Sequence, residues 1–145
     1  MTTRIKIDQV EPVGYKAILG LEKFVESTPV SKTHKDLIKI RASQINGCGF
    51  CIDMHTKEAR KRGETEQRIY GLNAWRDMPF YTEEERAILA LTEEVTLISQ
   101  NHVSDATYDQ SLKLLGETYL AQVILSIITI NAWNRIGIAT KLIPA

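Results

Sequence analysis

The segment from Glu117 to Ile138 places the tightest constraint on how this chain can fold. Tyr119, Leu120, Val123, Ile124, Leu125, Ile127, Ile128 and Ile130 cover more than one stripe of a helix. A helix that is apolar on nearly every side has to be covered on nearly every side. Its most apolar part, Leu120 to Ile130, is interrupted by Gln122, Ser126 and Thr129. It is also shorter than the ~20 apolar residues that cross a bilayer. The chain has 145 residues, enough for one domain with a real core. A core of that size has limited room for a helix apolar all round, so burial between subunits is expected.

The rest of the chain is helical in its spacing. Ala17, Ile18, Leu21, Phe24 and Val25 keep the three-four rhythm of one helix face, and Thr28-Pro29 should end that helix. Ser31 can cap a second helix carrying Leu37, Ile38 and Ile45, which should stop near Asn46-Gly47. A third should begin near Cys48, pass Met54 and Ala59, and end at Gly63, with a short fourth from about Thr65 to Asn73. Thr82 and Glu85 form a capping-box pattern ahead of Ala87, Ile88, Leu91, Val95 and Ile98. Ser104 can cap another helix ending at Gly116, before the last one. Arg4 to Val10 alternates like a strand but has no partner run. The expected architecture is all-α, about seven helices in a single domain over residues 1–145. Trp75 and Trp133 are expected in the core or an interface, and Asn131, Asn134 and Arg135 pairing polar groups at a subunit contact.

Eighteen basic and eighteen acidic residues cancel. A nucleic-acid or anionic-membrane binder normally carries a basic excess, so neither partner is expected. Zero net charge also favours self-association. Met1 to Gln9 has no apolar stretch of the signal-peptide kind, which makes the cytoplasm the expected compartment.

The chain has two cysteines, Cys48 and Cys51. A CxxC pair in a chain of this kind points to redox chemistry or to metal binding. Asn46-Gly47 breaks one helix and the next starts at the cysteines. Unpaired N–H groups and the positive end of the helix dipole there stabilise a thiolate. Residues three apart share a face, so one thiol can be oxidised to a sulfenic acid and the other can resolve it to a disulfide. His55 lies on the same face, four residues past Cys51, where an imidazole can act as general base. Two other readings stay open. CxxC could be half a zinc site completed by His55 and His34, or the cysteines could simply pack as small hydrophobes. His34 otherwise reads as a surface residue near a helix start and His102 as a solvated loop residue.

The run from Asp36 through His55, with Gln44-Ile45-Asn46-Gly47-Cys48 and the CxxC-xxx-His spacing, resembles the carboxymuconolactone decarboxylase superfamily. More closely it is similar to the alkyl hydroperoxidase D (AhpD) branch, and Asn131-Ala132-Trp133-Asn134-Arg135 supports the likeness. The resemblance implies an AhpD-like helical subunit that assembles as a trimer or hexamer. It implies a thiol-dependent peroxidase that needs no metal, flavin or haem. Its substrate would be a hydroperoxide and its reductant an external dithiol, lipoyl-bearing or thioredoxin-like. By this resemblance Cys51 attacks the peroxide, Cys48 is proton donor and resolving thiol, and His55 belongs to a relay with an acidic residue on the preceding helix. That acidic position falls on Asp36, where the pattern has glutamate, and Phe50 stands where AhpD has histidine. Aspartate, one methylene shorter, is expected to reach His55 through water or not at all. The helix dipole favours Cys48 as the better thiolate, whereas the imidazole one turn away favours Cys51. Other activities compatible with the chain are lactone decarboxylation, which needs no cysteine pair, and a helical binding module whose CxxC senses redox state.

Overall fold

Helix boundaries fall where the capping residues put them. Ser31 Oγ accepts the His34 N–H at 3.1 Å and opens α3 (Lys32–Asn46). The Thr82–Glu85 box opens α6 (Glu83–Thr96), with Thr82 Oγ1 accepting the Glu85 N–H at 3.1 Å and Glu85 Oε2 accepting the Thr82 N–H at 2.9 Å. Ser104 accepts the Thr107 N–H at 3.2 Å and opens α8 (Asp105–Leu115). The computed structural model describes residues 4–145. The other elements are α1 (Ile7–Val10), α2 (Pro12–Ser27), α4 (Gly49–Lys61), α5 (Glu66–Tyr70), a 3-10 helix (Leu72–Asp77), α7 (Ile98–Asn101) and α9 (Glu117–Ala139).

The fold is all-helical among the described residues. The seven expected helices are present, and three short elements add to them. The alternating run Arg4 to Val10 forms no strand, in keeping with its lack of a partner run, and Ile7–Val10 is a helical turn. The expected helix from Thr65 to Asn73 is split at Gly71 into α5 and the 3-10 helix, and Leu97 separates α6 from α7. The reading of Met1–Gln9 extends onto residues 1–3, outside the described residues. No helix among the described residues is long and apolar enough to cross a membrane.

Helix α3 lies at the centre because it is apolar on two faces. Ile38 and Ala42 join Ile88, Leu91, Leu120, Val123, Ile127 and Ile130 in one core, between α3, α6 and α9. Leu37 and Ile40 join Ala59, Ile69, Leu72, Trp75 and Leu89 in a second core, toward α4 and the 3-10 helix. Helix α9 packs along α3, α6, α2 and α8. The chain covers only part of its apolar circumference, leaving Ile128 and Ile138 each 44% exposed. Helix α2 differs from its expected burial. Of the expected face Val25 is buried and Ile18 and Leu21 are half-buried, while Ala17 and Phe24 are exposed, because α2 leans mainly on α9 and spans a cleft.

Candidate active site

Cys48 sits at the corner between α3 and α4. Gly47 ends α3 in the left-handed conformation, at φ 70°, a cheap position for glycine alone. The turn lets the Cys48 N–H reach the Ser43 carbonyl at 3.0 Å. Cys48 is then the N-cap of α4, and its Sγ accepts the Cys51 N–H at 3.3 Å. The two cysteines are joined as a disulfide and both are buried.

Asparagines hold this corner against α9. Asn46 Nδ2 donates to Asn131 Oδ1 at 2.9 Å and to Asn134 Oδ1 at 3.0 Å. Asn134 Nδ2 donates to Ser43 Oγ at 2.9 Å, and Asn131 Nδ2 to Thr96 Oγ1 at 3.0 Å. Asn134 is fully buried, so these asparagines join helices inside one subunit rather than at the expected subunit contact. Gly137 of α9 lies under the sulfurs. A Cβ at Gly137 would stand 3.2 Å from Cys48 Sγ and 3.6 Å from Cys51 Sγ.

A cleft of about 620 Å³ opens between α2, α3, α4 and α9. Its apolar walls include Tyr15, Leu19, Phe50, Met54, Trp133 and Ile136. Cys51 and His55 line it, and so does Asp36, whereas Cys48 lies behind, toward Gly137. Trp133 is held upright by Tyr15, edge to face at 5.4 Å, and by its Nε1–H donating to Glu22 Oε2 at 3.0 Å. Lys39 Nζ bridges Glu22 at 3.3 Å and Glu26 at 3.1 Å. Burial works against the Lys39 ammonium, but the two carboxylates outweigh it and raise its pKa.

The imidazole of His55 is buried, and its Nδ1 lies 3.0 Å from Glu58 Oε2. Burial depresses its pKa below the ordinary imidazole value, with Lys39 acting the same way and Glu58 against it. No direct hydrogen bond joins Asp36 to His55. Asp36 is 3% exposed, and both of its carboxylate oxygens are taken by Arg62, Nε to Oδ2 at 2.9 Å and Nη2 to Oδ1. The expected partner of the imidazole is thus engaged elsewhere, and Glu58 is bonded to the ring.

His34 bonds the Tyr119 hydroxyl through Nδ1 at 2.7 Å instead of joining the cysteines. No group of three or more His, Cys, Asp or Glu among the described residues is arranged to hold a metal ion. Trp75 is buried, as expected, with Arg76 stacked on its ring at 4.2 Å. Sequence reasoning passed over Glu58, Lys39 and Gly137, and read Asn46 as a helix stop without its bonds to α9. For Glu58 a signal existed, since it stands three residues past His55 on one helix face. For Gly137 none did, because its role depends on a contact with a residue far away in the chain.

Residues 14–94 match the carboxymuconolactone decarboxylase family. The uncharacterized protein YdfG of Bacillus subtilis (strain 168) is 46% identical over 139 residues, 96% of this chain and 95% of YdfG. The alkyl hydroperoxide reductase AhpD of Hyphomonas neptunium is 45% identical over 40 residues, 28% of this chain and 22% of that protein. A solved structure from Agrobacterium tumefaciens superposes with a TM-score of 0.95 at 37% identity, covering 99% of each chain. Its own function is unknown, and it has been assigned provisionally to the antioxidant defence protein AhpD. The debrominase Bmp8 shares the fold, with a TM-score of 0.79 at 20% identity over 92% of this chain and 72% of Bmp8.

Proposed function

The chain belongs to the carboxymuconolactone decarboxylase family, and from that membership we propose that it is a thiol-dependent peroxidase of the AhpD kind. One observation carries this reading. At the start of α4 the cysteines are within disulfide distance, and Cys51 is the one that lines the cleft, one turn before a buried imidazole. The pair makes redox chemistry intrinsic to the chain, and the cleft gives an apolar hydroperoxide a place beside Cys51.

The cycle runs from the reduced dithiol. His55 takes the Cys51 proton, and the thiolate attacks the distal peroxide oxygen. The O–O bond breaks, Cys51 becomes a sulfenic acid, and the leaving alkoxide collects the proton as an alcohol. The Cys48 thiol then attacks the Cys51 sulfur, the disulfide forms and water leaves. An external dithiol reduces the disulfide and is itself oxidised to a disulfide. A lipoyl-bearing or thioredoxin-like protein supplies it. The subunits work as a homo-oligomer, trimer or hexamer, in the cytoplasm, where thiols are kept reduced. The apolar residues left uncovered on α2 and α9 support assembly.

The test is intact mass of the reduced protein after one equivalent of cumene hydroperoxide, with and without prior alkylation. The expected result is loss of two hydrogens, abolished by alkylation and by Cys51→Ser. With Cys48→Ser a sulfenic acid should accumulate and be trapped by dimedone. An unchanged mass would sink the peroxidase reading. Lactone turnover retained by the Cys48→Ser/Cys51→Ser double variant would establish decarboxylation in its place.

A further inference from the structure

The two ring nitrogens of His55 are in different circumstances. Nδ1 lies 3.0 Å from Glu58 Oε2, and a carboxylate oxygen can only accept, so the ring hydrogen sits on Nδ1. Nε2 keeps its lone pair and is buried with no hydrogen-bond partner among the described residues. Cys51 and His55 are four apart on α4, which stacks their side chains on one face, and both line the cleft.

Most of the other charged groups around the cleft have partners of their own. Lys39 of α3 is held by Glu22 and Glu26 of α2. Lys35 donates to the Glu26 and Thr28 carbonyls, both at 3.3 Å. Asp36 is clamped by Arg62. Lys6 and Asp8, from the start of the chain, and Lys32, the first residue of α3, line the same cleft, and α9 adds only the uncharged Ile130, Trp133, Ile136 and neighbouring Thr140. Among the described residues only Glu58 is hydrogen-bonded to the imidazole, and its side chain is 41% exposed.

We propose that Glu58 is the positioning residue of this site: it fixes the hydrogen on Nδ1, turns Nε2 into the acceptor for the Cys51 proton, and links the buried ring to solvent. The inference rests on the reading of His55 as the base for Cys51. In the reduced protein the Cys51 thiol gives its proton to Nε2, leaving a thiolate and an imidazolium. The imidazolium stays bonded to Glu58, which offsets the burial that disfavours its charge. The Nε2 proton goes to the alkoxide when the O–O bond breaks. Asp36, on the preceding helix, holds Arg62 instead.

The experiment needs no peroxide, so it can fail separately from the peroxidase reading. Reduced protein is alkylated with iodoacetamide across a pH series, and modification of Cys51 is read by peptide mass. The ring nitrogens of His55 are followed by 15N NMR, and thermal melts check that each variant is folded. Glu58→Leu removes both acceptor and charge, and Glu58→Gln keeps the acceptor alone. The wild-type ring should show the hydrogen on Nδ1. Glu58→Leu should mix the tautomers and raise the Cys51 alkylation midpoint by about one pH unit, roughly tenfold less thiolate at neutral pH. Glu58→Gln should keep the tautomer and shift the midpoint by less. A folded Glu58→Leu variant with an unchanged tautomer and midpoint overturns the proposal. So does Asp36→Asn if it moves the midpoint further than Glu58→Leu. If the expected shifts appear but peroxide leaves the mass unchanged, the positioning role stands and the peroxidase reading falls.

Discussion

Cys48 holds two posts at once, closing the turn after α3 through its backbone N–H and capping α4 through its sulfur. Cys51, three residues on, faces the cleft. The same spacing therefore sets Cys48 back against α9 and lets Cys51 share the cleft with His55. The histidine carries a pH dependence whose sign can be worked out. Burial depresses its folded-state pKa, so the unfolded chain binds more protons near and below the ordinary imidazole value of about 6.5. Stability is then fully present above that value and is lost as pH falls through the folded pKa. His34, also depressed by burial, acts in the same direction. Denaturant midpoints measured from pH 8 down to 5 should fall on acidification, and His55→Gln should flatten the curve. Asn134 makes the other sharp residue-scale case. Asn134→Leu would strip Asn46 and Ser43 of a partner in a fully buried place, and should lower unfolding free energy by about 2 kcal/mol.

At the scale of elements, two glycines within helices make opposite predictions. Gly20 lies on the exposed side of α2, and a Cβ there meets nothing within 4 Å. Gly20→Ala should therefore stabilise by roughly 0.5–1 kcal/mol, by restricting the unfolded chain. Gly137 lies in α9 against the disulfide, where even a methyl group would be crowded by Cys48 Sγ at 3.2 Å. Gly137→Val should destabilise by about 1–3 kcal/mol through overpacking, and should slow closure of the disulfide from the reduced protein. Chemical denaturation of the two variants and a thiol titration during reoxidation check both. Central α3 explains why these contacts matter to the site. It anchors both cores and ends at Gly47, so the register of α3 against α9 sets where the sulfurs lie.

For the molecule as a whole, apolar side chains remain uncovered on α2 and α9, among them Phe24 and Ile128, each 44% exposed. A net charge of zero does nothing to keep copies apart. Sedimentation equilibrium should give a multiple of the 16.4 kDa chain mass. Ile128→Glu should lower that multiple without unfolding the subunit, because the side chain is on its surface. An unaltered mass for that variant would place the contact on another face.

Much of this protein is local and can be read along the chain. The Ser31, Thr82 and Ser104 caps, the Gly47 stop and the three-four rhythm depend on neighbours a few residues apart, and so do the helices they define. The pairing of Cys48 with Cys51, and the place of His55 one turn further on, follow from helix geometry in the same way. Other features depend on what a distant segment brings. Arg62 reaches Asp36 across 26 positions and takes both of its carboxylate oxygens. Asn131 and Asn134 turn inward because Asn46 stands opposite them. Helix α9, apolar all round in sequence, is covered by α3, α6, α2 and α8 only where those helices happen to lie. Hydrogen bonds to a side chain are few and directional, so which carboxylate reaches an imidazole is decided by packing to within an ångström, a distance that residue spacing alone does not fix.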